Sequence, residues 1–283
     1  MNCYEPQSVC RNTFREVCKD VEAPATGVVV VGHGTANPVG AAETKRVVAE
    51  VDAILPNIPV ELGYLEVIEP TIEMALERLA AQGCKRIVAL PILLFSAGHA
   101  KQDVPQALRE AAARYGLSVT QADPLGLHGG IIHLARQRFY EAVGGLEPIC
   151  GGSEALIVIG RGSSDATASH QLWRFVRSTY SSLVCVAKHR FAISFVAAAR
   201  PTMSEAVDQV MLGANGRLPV KRVVLHPHLL FHGHVENQVE RHLEKMRSRF
   251  PSVEWVKVPR LGAASEVAEA LVDRGLRSLC GAN

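Results

Sequence analysis

Residues Gly27–Pro38 read GVVVVGHGTANP. Val28–Val31 are apolar at four consecutive positions, so both faces of the extended chain want burial, as in an interior strand of a parallel sheet. Gly32 and Gly34 bracket His33, and Pro38 suits the first turn of a helix. Apolar residues then recur at helical spacing at Val47, Val48, Val51, Ile54 and Leu55. Strand, glycine-rich loop and helix in this order form the first part of a parallel crossover unit.

Moving outward, the same alternation repeats. The spacing predicts a strand over Val60–Glu66, then a helix opened by Pro70 and Thr71 with Ile72, Ala75, Leu76 and Leu79 on one face. A strand over Arg86–Phe95, a helix over Val104–Tyr115, a strand over Leu117–Gln121 and a helix over Ile131–Val143 follow. Four strand–helix units in succession imply a parallel sheet covered on both faces. Gly144–Ser153 (GGLEPICGGS) reads as a linker.

Beyond the linker the pattern begins again. VVVVGHGTANP (Val28–Pro38) is matched by ALIVIGRGSSD (Ala155–Asp165), and YLEVIEPTIEMAL (Tyr64–Leu76) by FVAAARPTMSEAV (Phe195–Val207). KRIVALPILLFSAGHAKQDV (Lys85–Val104) is matched by KRVVLHPHLLFHGHVENQV (Lys221–Val239) with one residue deleted, and PLG (Pro124–Gly126) by RLG (Arg260–Gly262). Order and separation agree throughout, so the chain is two copies of one α/β module of about 125 residues. The expected domains are an extension at 1–25, a first module at 26–145 and a second at 154–279.

Composition narrows the function. With 30 Lys and Arg against 28 Asp and Glu, the chain has no global attraction for nucleic acid, and 5% aromatic residues argue against base-stacking platforms. The longest apolar runs fall well short of the roughly 18–20 residues that span a bilayer, and residues 1–20 lack the apolar segment of an export signal. The expected location is the cytoplasm, with the seven Cys reduced. Cys3, Cys10 and Cys18 do not match common metal-binding spacings, and a plain extension is the simpler reading than a cluster shared with Cys150.

Ligands of open α/β sheets bind outside the carboxyl ends of the strands. Three polar residues of the first module fall there: His33 after the first strand, Glu66 at the end of the second, and His99 just after the third. Each alone could be an ordinary loop or capping residue. Together, two imidazoles and a carboxylate at one mouth suit a divalent transition metal.

The segments GHGT, YLEVIEPTI and LPILLFSAGHAKQDVP resemble the CbiX/SirB family of sirohydrochlorin chelatases, and the resemblance covers nearly the whole chain beyond residue 25. It implies two tandem chelatase-like modules, each a parallel sheet flanked by helices, with a cleft between them. It also implies insertion of cobalt or iron, with nickel as a further candidate, into sirohydrochlorin for cobalamin or siroheme synthesis. The metal is then a substrate, and no tightly bound cofactor is expected. His33, Glu66 and His99 are the implied catalytic and metal-binding residues. The duplication resembles the long form of the family, so a monomer with pseudo-dimeric halves is expected.

The second module departs from this pattern. Arg161 replaces His33, Ala197 replaces Glu66, Arg200 replaces Glu69, and His234 alone persists opposite His99. One catalytic site per chain is expected, with Lys101, Arg161, Arg200 and His234 as candidates for binding the acidic macrocycle; plain surface solubility is the rival for Arg200. His226, His228 and His232 could mark a metal-entry path or serve structure, and His128, His133, His170, His189 and His242 lack a motif. Two rivals to chelation are a non-catalytic metal or tetrapyrrole carrier and phosphoryl transfer through His33. The second lacks the Arg that precedes the His of histidine phosphatases, since Gly32 stands there, and the chain has no phosphate-binding loop.

Overall fold

The computed structural model describes residues 25–95, 101–144, 153–180, 190–212 and 219–280. In the first half, β1 (Thr26–Gly32), α1 (Pro38–Ile54), β2 (Val60–Tyr64), α2 (Ile72–Ala81), β3 (Arg86–Pro91), α3 (Asp103–Tyr115), β4 (Ser118–Gln121) and α4 (Gly129–Val143) follow one another. The second half repeats them as β5 (Glu154–Gly160), α5 (Ala166–Tyr180), β6 (Phe191–Phe195), α6 (Met203–Met211), β7 (Arg222–Pro227), α7 (His234–Arg249), β8 (Glu254–Lys257) and α8 (Ser265–Leu279).

Each half builds a four-stranded parallel sheet, ordered β2-β1-β3-β4 and β6-β5-β7-β8. Registers agree between the halves: Gly32 pairs with Tyr64 as Gly160 pairs with Phe195, and Val31 with Pro91 as Ile159 with Pro227. Val28–Val31 are at most 1% exposed, so both faces of β1 are covered. On one face, Val29 and Val31 pack with Ile72, Leu76 and Leu79 of α2 and with Val104 and Leu108 of α3. The chain leaves β1 for β2 on one side and returns to β3 on the other, which makes the carboxyl end of β1 a topological switch point.

Two strands end earlier than the sequence expectation. β2 ends at Tyr64 rather than Glu66, and β3 at Pro91 rather than Phe95. Beyond Tyr64 the backbone bends, with Val67 left-handed at φ 75°, and Tyr64 N–H donates to the Pro70 carbonyl at 2.8 Å. Beyond Pro91, Leu93 and Leu94 accept from Leu125 and Gly126 in the turn after β4. Leu229 and Leu230 accept from Leu261 and Gly262 in the same way.

The compact units are cut differently from the expected modules at 26–145 and 154–279. One unit takes the chain up to Ile131 together with the chain from Ala263 onward; the other takes Ile132–Gly262. The last helix, α8, therefore completes the first unit, where it packs on α1, β3 and β4. There His128 Nε2–H donates to Asp273 Oδ2 at 2.9 Å, and Arg274 to the Leu125 carbonyl at 3.3 Å. Most of α4 belongs to the second unit. Phe139 meets Tyr180 edge-on and stacks on His226, while Arg136 donates to the Ser178 and Thr179 carbonyls that end α5. Periodicity gives each helix an apolar face but does not say which sheet covers it. No helix among the described residues is long and apolar enough to cross a membrane.

Candidate active site

His33 follows directly on β1. The loop after it is held by its own side chains: Asn37 N–H donates to Thr35 Oγ1, and Asn37 Oδ1 caps α1 by accepting from Val39 and Gly40. The two loops at the sheet mouth are joined by backbone bonds that continue the β1–β2 ladder. Leu65 N–H donates to the Gly32 carbonyl at 2.9 Å and Glu66 N–H to the His33 carbonyl at 3.1 Å. Gly34 at φ 101° permits this approach, because a β-carbon there would lie 1.9 Å from the Glu66 carbonyl oxygen. Thr71 caps α2 just beyond, accepting from Met74 N–H.

These bonds bring the side chains together. His33 Nε2 lies 3.2 Å from Glu66 Oε1, with both side chains open to solvent. Two donor atoms sharing one metal at about 2.1 Å, with angles of roughly 90–109°, stand about 3.0–3.4 Å apart. The observed spacing therefore suits either a hydrogen bond or joint ligation of one ion.

His99, the third expected member, lies outside the described residues, as do Cys3, Cys10, Cys18 and Cys150. Among the described residues no three His, Cys, Asp or Glu converge as a metal-holding group. Lys101 is exposed just ahead of α3. His234 opens α7 and is exposed, with Nε2 2.7 Å from Gln238 Nε2. Arg200 pairs with Glu205, whose carboxylate also accepts from Thr202 N–H in a capping box at the start of α6. The motif Thr202-x-x-Glu205 carried that signal in the sequence.

The second unit keeps the backbone of the site without its side chains. Val196 and Ala197 donate to the Gly160 and Arg161 carbonyls at 3.1 and 3.0 Å. Gly162 has φ 89°, Ala198 has φ 54°, and a β-carbon on Gly162 would lie 1.7 Å from the Ala197 carbonyl oxygen. Glu69–Pro70 and Arg200–Pro201 are both cis. At the positions of Leu90 and Ile92 stand His226 and His228, 1% and 3% exposed. Burial pushes each imidazole down to about 3. Tyr180 Oη bonds His226 Nδ1, and Phe175 stacks on His228 at 3.8 Å. Both therefore serve the core of the second unit.

At the position of Lys101 the second unit carries Glu236, which is buried and held by Lys257, Arg260 and His232. Burial pushes its carboxyl up, but hydrogen bonds from Lys257 and His232 and the charges of Lys257 and Arg260 outweigh this and hold it below the ordinary range. Repeat alignment could have exposed the Lys101-to-Glu236 inversion; its partners Lys257 and Arg260, from β8 and the turn after it, could not be paired from sequence.

Comparison with known proteins agrees with this architecture. A sirohydrochlorin cobaltochelatase of Priestia megaterium is 27% identical over 262 residues, covering 90% of this chain and 80% of that protein. A sirohydrochlorin ferrochelatase of Bacillus subtilis (strain 168) is 26% identical over 234 residues, covering 80% of this chain and 82% of that protein. The solved structure of SirB from Bacillus subtilis with Fe3+ superposes with a TM-score of 0.74 at 25% identity, covering 91% of this chain and 96% of that one. The CbiX family model matches twice, over residues 27–142 and 155–278, one match in each half, and the chain belongs to the CbiX family.

Proposed function

We propose that the chain is a sirohydrochlorin chelatase, a lyase that inserts cobalt or iron into the free-base macrocycle, and that the first unit performs the chemistry. The observation that carries this reading is the His33–Glu66 pair, 3.2 Å apart at the topological switch point of the first sheet. The metal is the substrate. It arrives as a dication and leaves in the macrocycle, while two pyrrole N–H protons depart.

His33 and Glu66 have complementary parts in that exchange. In the metal-free pair, His33 donates its Nε2 proton to Glu66, which leaves Nδ1 as an acceptor. An incoming dication takes the place of that proton at Nε2, the proton moves to Nδ1, and the ion is shared by the two side chains. As the ion passes into the macrocycle, the vacated His33 Nε2 and the Glu66 carboxylate take up the two departing pyrrole protons. Two or three protein ligands, with His99 as the third, hold the ion less tightly than a closed four-ligand cage and so permit its release. Lys101, in the same unit as His33 and Glu66, is assigned to the carboxylates of the macrocycle. Arg200 is assigned to its capping box, because Glu205 occupies its guanidinium.

The test is anaerobic absorbance spectroscopy of the full chain with sirohydrochlorin and Co2+, Fe2+ or Ni2+ in turn. The expected result is saturable metal insertion faster than the spontaneous reaction with cobalt or iron. Binding of macrocycle and metal without acceleration would assign the chain to carriage instead.

A further inference from the structure

We propose that the mouth of the second unit is a carboxylate-binding subsite centred on Arg161, built on the backbone that carries His33 and Glu66 in the first unit. The inference rests on the reading of the chain as a sirohydrochlorin chelatase, whose substrate is a polycarboxylate.

The equivalence is one of backbone atoms. Both mouths join their loops by the same pair of bonds, from Leu65 and Glu66 in one unit and from Val196 and Ala197 in the other. Both require a glycine that presses on a carbonyl, Gly34 or Gly162, and both hold a non-glycine residue left-handed, Val67 or Ala198. Left-handed non-glycine residues cost energy and concentrate at functional sites. The strained loop therefore persists where the His–Glu chemistry is gone.

On that shared frame the charge is inverted. The first unit presents an imidazole beside a carboxylate, which suits a cation. The second presents a guanidinium at the imidazole position and a methyl group at the carboxylate position. Ala197 offers Arg161 no carboxylate at the position where Glu66 faces His33.

Among the described residues, Arg161 is exposed and has no side-chain ion pair or hydrogen bond, whereas Arg200 in the neighbouring loop pairs with Glu205. The nearby Asp165 carboxylate caps α5 by accepting from Thr167 N–H at 2.9 Å. A permanently charged planar fork at the carboxyl end of a central parallel strand recognises a carboxylate by paired hydrogen bonds.

Titration of the full metal-free chain with sirohydrochlorin, followed by fluorescence or absorbance, tests the subsite. Arg161→Ala should raise Kd about tenfold, Arg161→Lys should fall between it and the wild type, and Arg249→Ala should stay within twofold. An Arg161→Ala Kd within twofold of the wild type overturns the subsite. If Arg161→Ala loses affinity while the wild type fails to insert metal, the subsite stands and the chelatase reading falls. If the wild type inserts metal and Arg161→Ala binds and turns over as it does, the subsite alone falls. A wild type that binds no macrocycle overturns both.

Discussion

A β-carbon added to Gly34 would stand 1.9 Å from the carbonyl oxygen of Glu66, so the alignment of His33 with Glu66 depends on a residue with no side chain. Gly34→Ala must either push the two loops apart or force alanine into the left-handed region. Strain of this kind costs about 1–3 kcal/mol, and a displaced Glu66 no longer meets His33. Metal insertion should fall at least about tenfold, with a lowered melting temperature. Gly162→Ala should destabilise the chain comparably, because its β-carbon would lie 1.7 Å from the Ala197 carbonyl oxygen. Thermal melts and insertion rates measure both effects.

The trade of terminal helices yields a prediction about the first unit. A chain ending after Gly262 loses α8, with Val267, Ala268, Leu271, Val272 and Leu276 from a buried face. Native-state hydrogen exchange should then accelerate most in β3 and β4 of the first unit, while β7 retains its protection. Asp273→Ala, which removes the acceptor of His128 and Arg277, should weaken the same helix by about 2 kcal/mol in urea titrations.

Much of the fold was legible because parallel strands buried on both faces leave unbroken apolar runs, and Val28–Val31 and Leu156–Ile159 are such runs. The rule that ligands bind at strand carboxyl ends placed His33 and Glu66 at one mouth, and the duplication placed Arg161 and Ala197 at the equivalent one. Pairing across the fold was not legible: the trade of α4 for α8 turns on contacts such as His128–Asp273, 145 residues apart in sequence. The closeness of Gly34 to Glu66 was hidden too, since the sequence shows a glycine and not what presses on it. His226 and His228 were open between metal entry and structure until burial placed them in the core.

That burial gives the protein a pH dependence. Both imidazoles sit near 3 in the folded chain against about 6.5 when unfolded, so the unfolded state takes up protons first as pH falls. Stability is complete above about pH 6.5 and is lost toward pH 3, with a slope of up to about 1.4 kcal/mol per pH unit for each His. Urea midpoints between pH 7 and 4 should fall steeply in the wild type. They should fall less in a His226→Leu, His228→Ile chain, which carries the side chains found at Leu90 and Ile92 in the first unit.

If the two mouths share one frame, the second can be given the first one's charge. Arg161→His combined with Ala197→Glu should bind one more Co2+ per chain than the wild type in isothermal titration, and should bind sirohydrochlorin more weakly. Unchanged cobalt stoichiometry would show that the frames differ in more than their side chains.

The central claim is that metal enters the macrocycle at His33 and Glu66. Its most direct test compares the wild type with His33→Ala in two measurements on one preparation, sirohydrochlorin affinity and anaerobic insertion of Co2+ or Fe2+. The account predicts macrocycle affinity within a few-fold of the wild type and insertion slower by about 100-fold or more, the usual scale for loss of a proton acceptor. Insertion by His33→Ala at a rate close to that of the wild type would contradict it.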